Sequence, residues 1–212
     1  MIDLNYAVYS FVALFLIVDP ITNVPVFHSL LDTYSTDDRR QMIRRSVTIA
    51  ASVVIFSTIG GNHIFRFLGI ELYSFRIAGG ILLFIIAIEM LFGKKTRTES
   101  TKEETRDAAL RDDIVVMPMA IPLLAGPGAI TMSIVLFNQA GNSVDVAVLF
   151  VNIVLIFAVS YIILARSGVV FKLLGTTGTK VVMRLMGLLL ATIAVQFIIT
   201  GISEAIMEAA HG

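Results

Sequence analysis

The sequence predicts an all-α membrane protein whose six transmembrane helices form two inverted three-helix repeats, with helices 1 and 4 broken near the bilayer midplane. Three observations carry that expectation. The 212-residue chain is 57% hydrophobic and only 15% charged, with a mean hydropathy of +0.88, whereas soluble domains average about 25% charged residues. All five prolines fall in two stretches, "VDPITNVPVF" (18–27) and "MPMAIPLLAGPGAI" (117–130). Finally, landmarks of the first half recur in order in the second.

A helix crossing the hydrocarbon needs about 20 apolar residues, and by that criterion the spans are 4–32, 43–68, 74–92, 113–139, 144–165 and 181–202. The first lacks a basic n-region and a small-residue cleavage site, so it reads as a retained span and not as a signal peptide. The only long hydrophilic stretch, "GKKTRTESTKEETRDAALRDD" (93–113), carries both signs of charge and reads as a solvated linker. The chain therefore divides into a first repeat (1–92), a linker (93–112) and a second repeat (113–212).

Zero net charge conceals an asymmetry. With six spans, the segments 32–45, 93–113 and 166–184 share one side and hold fourteen basic residues, against Arg66 and Arg76 on the other. The positive-inside rule then places the linker in the cytoplasm and both termini outside. The chain has no cysteine, so no disulfide framework exists. No basic patch interleaved with aromatics suggests nucleic acid as a partner.

Pro20 and Pro25 align with Pro122 and Pro127 at an offset of 102; "FRFLG" (65–69) resembles "FKLLG" (171–175). "RIAGGILLFIIAIEMLFG" (76–93) aligns with "RLMGLLLATIAVQFIITG" (184–201), pairing Arg76 with Arg184, Gly79 with Gly187 and Gly93 with Gly201. Three spans per half, an odd number, make the second half enter from the opposite side. Interrupted spans at equivalent positions of such halves point to a midplane site.

Proline removes a backbone donor and clashes with the preceding turn. Backbone groups freed in this way are tolerated at membrane depth only where they are buried in protein or line a cavity. Asp19 before Pro20 matches a helix N-cap followed by a first-turn proline, which would aim a half-helix N-terminus at mid-membrane. Gly126 and Gly128 around Pro127 would let a ligand approach the backbone. Amides for an anionic group and carbonyls plus Asp19 for a cationic one suit an amino acid zwitterion.

Thr22 and Asn23 are read either as substrate contacts or as backbone caps. Asn152, Thr192 and Gln196 are expected to make interhelical hydrogen bonds, and Gly79, Gly80 and Gly187 to permit close helix packing. Glu89 fits a snorkelling or interfacially paired carboxylate, with a coupling role as the sharper reading. His28 is expected to be a satisfied helix histidine.

"VDPITNVPVF", "IAGGILLFIIAIEML" and "MPMAIPLLAGPGAI" together resemble the MarC family, within the broader LysE-type exporter superfamily. The likeness runs over essentially the whole chain. It implies a multi-pass protein of the prokaryotic cell (inner) membrane, similar to SnatA-type transporters of small neutral amino acids such as glycine and alanine. By that resemblance the substrate contacts are Asp19, Pro20, Thr22, Asn23, Gly126, Pro127 and Gly128, with Asp19 and Glu89 as coupling candidates for a proton or sodium ion. Membrane lipid surrounds the protein, and the sequence leaves open whether it forms an oligomer.

Competing classes fare less well. An ion or metal transporter or channel would favour clusters of Asp, Glu, His or Cys, whereas the spans offer Asp19, Glu89 and His28 without evident pairing. The three histidines, at 28, 63 and 211, form no HExxH pattern, and no serine stands in a dyad context, so no enzyme activity and no catalytic residue is expected. No cofactor or metal site is implied, and no nucleotide-binding glycine motif is present.

Overall fold

The computed structural model describes residues 3–93 and 114–211; apart from Gly93, the expected linker lies outside the described residues. Every regular element among them is helical. We number these α1 (Leu4–Val18), α2 (Val24–Leu30), α3 (Thr36–Leu68), α4 (Leu72–Phe92), α5 (Pro127–Gln139), α6 (Ser143–Ala165) and α7 (Ser167–His211). Before α5 runs an irregular coil, Val115–Leu124, whose backbone leaves helical geometry at Met117 and Ile121. The peptide bonds Met117–Pro118 and Ile121–Pro122 are cis.

Four helical stretches are long and apolar enough to cross a membrane: Thr36–Gly61, Leu72–Phe92, Ser143–Ala165 and Thr177–Ala210. Val115–Leu124 and Pro127–Gln139, bent by 52°, make a fifth if counted as one span. With 15 residues, α1 is too short to cross about 30 Å of hydrocarbon alone. The expected first span, 4–32, is thus divided between α1 and α2. Hydropathy located the apolar middles well but missed polar helical ends: α3 begins at Thr36 and α7 continues to His211.

Side-chain caps start three helices. Asp3 accepts from the Asn5 and Tyr6 amides ahead of α1, and Asn142 accepts from Val144 and Asp145 ahead of α6. At α3, the Ser35 hydroxyl accepts from Asp38 N, an N-cap bond, and donates to the Asp38 carboxylate.

Burial shows what surrounds the protein. On α7 the large exposed residues include Val181, Leu185, Leu188, Val195, Ile199, Ile202 and Ile206. Spacings of three, four and seven place them on one apolar stripe turned away from the protein, as lipid contact requires. By contrast, α5 buries eight consecutive-range residues from Gly128 to Leu136, all but Ile130 in that run. The second break is therefore largely interior, where freed backbone groups can be shielded from lipid, whereas α1 keeps Leu4, Val8 and Val12 exposed on one face.

The contacts interlock the two halves. Besides touching α5, α1 packs on α6 and α7, and α2 packs on α7. The 115–124 coil packs on α3, while α5 packs on α3 and α4. Each broken span thus leans chiefly on unbroken helices of the opposite half. The largest interface joins α4 to α7, where glycines admit the facing backbone. A Cβ at Gly80 would lie 2.9 Å from the Ala194 carbonyl oxygen, one at Gly187 3.0 Å from that of Ala87, and one at Gly201 3.0 Å from that of Tyr73. These contacts run antiparallel, and the close packing expected of Gly79, Gly80 and Gly187 is present.

The matched "FRFLG" and "FKLLG" motifs end alike. Gly69 (φ +65°) separates α3 from α4, and Gly175 (φ +61°) bends α7. A left-handed backbone is cheap only for glycine, which explains the same residue at both bends.

Candidate functional site

The two proline stretches, about a hundred residues apart in sequence, meet inside the molecule. Asn23 joins them: its Nδ2 donates to the carbonyls of Val18 (3.3 Å), Asp19 (3.2 Å) and Leu123 (3.2 Å). The first two carbonyls lie where α1 ends, and the third lies in the second break. One buried amide therefore bridges carbonyls of both breaks.

Asp19 corrects an expectation. It is not the N-cap of a helix starting at Pro20 but the C-cap of α1, in left-handed geometry (φ 43°, ψ 62°). Residues 20–23 form turns, and α2 starts at Val24 with Pro25 in its first turn. The reason lies in the backbone: Asp19 closes α1 in that left-handed turn, its N–H bonding to Phe15 O, while its carboxylate reaches forward onto the following turn. Thr22 N donates to Oδ1 (3.3 Å), and the Thr22 hydroxyl donates to Oδ2. Aspartate is among the few non-glycine residues that visit this region readily. Asp19 is only 8% exposed, and Pro20 beside it is buried.

The second break is built from backbone. A Cβ at Gly126 would stand 2.7 Å from the Pro122 carbonyl oxygen, so the chain folds on itself where a side chain has no room. Gly126 opens α5 with no side-chain cap, and Pro127, exposed, lies in the first turn. Ile130 N donates to Gly126 O (3.2 Å), which leaves the Gly128 and Ala129 amides without intrahelical acceptors. Buried Gly128 is covered by Ile17 and Ile86: a Cβ there would meet their Cδ1 atoms at 2.8 and 3.1 Å. Ligand access to Gly128 requires these flexible side-chain tips to move. Neither isoleucine stood out in the sequence, because apolar residues are the background of every span.

Other expected residues lie apart from this junction. Asn152 bonds across helices, donating to Ala7 O and Ser10 Oγ of α1, both at 2.9 Å. Thr192 and Gln196 do not: Thr192 donates to Leu189 O and Gln196 to Thr200 Oγ1, within α7. Both are exposed on the outward side of that helix, where the local acceptor is the only one within reach. His28 stacks on Phe171, with ring centroids 5.6 Å apart, in keeping with a packed helix histidine. Glu89 sits half-buried in the last turn of α4. Sequence reading also missed the ion pair of Arg76 with Glu204, because Glu204 lies beyond the expected end of the last span.

This architecture, with long lipid-facing helices around a largely interior break, defines a polytopic helical membrane protein. The MarC family of integral membrane proteins matches residues 4–206, and the chain belongs to that family. It is 38% identical over 199 residues to a UPF0056 membrane protein of Methanocaldococcus jannaschii, covering 94% of this chain and 87% of the relative. It is 35% identical to the UPF0056 membrane protein YhcE of Escherichia coli, covering 91% of this chain and 89% of that one. A relative from Archaeoglobus fulgidus is 35% identical over 97% of this chain and 96% of its own length. Similar proteins thus occur in both bacteria and archaea. No solved structure matches the chain.

Proposed function

We propose that this protein is a secondary transporter of small neutral amino acids, glycine and alanine, working by alternating access and driven by a proton or sodium gradient. The observation that carries the reading is the meeting of the two breaks at Asn23, where polar groups converge among buried apolar side chains. The uncapped start of α5 offers the Gly128 and Ala129 amides to a carboxylate. Asp19 and Thr22 supply oxygens for an ammonium or a coupling cation. A small side chain fits because Ile17 and Ile86 lie against Gly128.

The halves are read as inverted repeats of the LysE-type superfamily, as in SnatA transporters. Support comes from the paired proline breaks, the equivalent bends at Gly69 and Gly175 and the antiparallel α4–α7 contact. Rocking one half against the other would expose the junction to each side in turn. The positive-inside asymmetry orients both termini outward. Since no native cysteine exists, single cysteines at exposed Ser143 and Asp37 should react with an impermeant thiol reagent only from outside and only from inside, respectively.

The deciding experiment is uptake of labelled glycine into liposomes carrying the purified protein, under imposed proton and sodium gradients. Concentrative uptake that collapses with one gradient supports the reading. Equal glycine flux in protein-containing and empty liposomes removes it.

A further inference from the structure

We infer that Arg76 and Glu204 form a second subsite for an amino acid zwitterion, with the substrate carboxylate on the Arg76 guanidinium. The inference rests on the transport reading above and adds a site to it. Arg76 lies in the second turn of α4, is only 4% exposed, and bonds through Nη1 to Glu204 Oε1 of α7. Its Nε is buried and has no hydrogen-bond acceptor. The guanidinium stands in the α4–α7 interface, and α1 also packs on α7.

A guanidinium presents donors in a fixed planar fork, and native proteins leave few buried donors unpaired. The acceptor that best suits a free edge of a charged guanidinium is a carboxylate. Glu204 is 36% exposed, so its own carboxylate still faces outward in part. The pair therefore presents an ordered dipole, positive on α4 and negative on α7. An amino acid zwitterion complements it when laid antiparallel, with its carboxylate on Nε and its ammonium on Glu204. A simple cation or a simple anion satisfies only one half.

The subsite is separate from the junction of the breaks. Arg76 precedes Ile86, which covers Gly128, by ten residues of one helix. At a rise of about 1.5 Å per residue that is roughly 15 Å, half the hydrocarbon thickness. Asp3 at the chain start bonds to Asp145 near the start of α6, and Glu204 lies close to the chain end. The Arg76 subsite thus lies on the side of the protein where the termini lie, where it would meet substrate before the breaks do.

The competing account is that the ion pair only ties α4 to α7. Arg76→Lys separates the two, because lysine keeps a charge for Glu204 but loses the fork. The test is equilibrium binding of labelled glycine to the purified full chain, with glycinamide and propionate as competitors lacking one charge each. Wild type should bind two glycines and be displaced weakly by either competitor. Arg76→Lys should retain one glycine and melt near the wild-type temperature, with affinity at the second site weakened at least about tenfold. If Arg76→Lys fails to fold, Glu204→Gln, which keeps an acceptor for Nη1 but no charge for the ammonium, provides the same readout. Two glycines bound unchanged by the folded variants, or a single glycine in wild type that neither variant affects, overturns the subsite and leaves the transport reading intact. A wild type that binds no glycine removes the transport reading, and this subsite with it.

Discussion

The two breaks solve one problem with different materials. At the first, side chains do the work: Asp19 holds Thr22, and Asn23 gathers three carbonyls. At the second, no side chain caps the start of either helical piece, and the turn depends on Gly126 fitting beneath the Pro122 carbonyl. One break contributes acceptors and charge, and the other contributes bare backbone donors. A repeat whose copies had stayed identical would offer the same groups twice. The difference makes the junction polar in one direction.

If Asn23 is the staple between the breaks, altering it should have the largest effect. Asn23→Asp sets a carboxylate against three carbonyl oxygens and should abolish accumulation of folded protein, measured by size-exclusion profile in detergent. Asn23→Ala takes the side-chain donor from the Val18 and Leu123 carbonyls, leaving Asp19 O with the backbone amide alone, and should cost about 2 kcal/mol, read as a lowered midpoint of thermal unfolding. An Asn23→Ala protein as stable as wild type would mean that other contacts hold the breaks together.

The backbone-built break should be the one intolerant of small additions. Gly126→Ala collides with main chain that cannot retreat and should destabilise by about 1–3 kcal/mol. Gly128→Val meets only the tips of Ile17 and Ile86, so stability should fall less while glycine binding is lost. Thermal-shift titration with glycine separates the two outcomes, and equal behaviour of both variants would erase the distinction between them. Thr22→Val is the mildest change. It removes one donor to Asp19, should cost about 1 kcal/mol, and should alter ion dependence of uptake more than protein stability.

Proline placement made the position of both breaks readable, since each ring removes a donor and distorts the preceding turn. Apolar block length likewise gave the long helices to within a few residues, except where polar residues such as Thr36 and Glu208 remain helical. What the linear pattern could not supply was which atom satisfies which orphan. Asp19 looked like an N-cap because Asp-Pro commonly is one, and its carboxylate does reach forward to Thr22; that its backbone closes α1 in a left-handed turn is not written in the residue types. Asn23 and Leu123 are linked only through tertiary contact. Polar side chains on α7 were assigned interhelical partners, although Thr192 and Gln196 face outward. Direction around a helix is weakly encoded when nearly every residue is apolar.

The central claim is that the first break supplies charge to a transport site, so Asp19 is where it is most exposed to refutation. Asn keeps the left-handed turn and the bond from Thr22 N but removes the carboxylate. Leu at the same position adds left-handed strain of about 1–2 kcal/mol and loses the acceptor. Gradient-driven uptake of labelled glycine into liposomes, compared between wild type and Asp19→Asn, is the direct measurement. The account predicts that Asp19→Asn folds and unfolds like wild type but fails to concentrate glycine. Uptake by Asp19→Asn at the wild-type rate, with the same ion dependence, would contradict it and leave Asp19 as a structural cap.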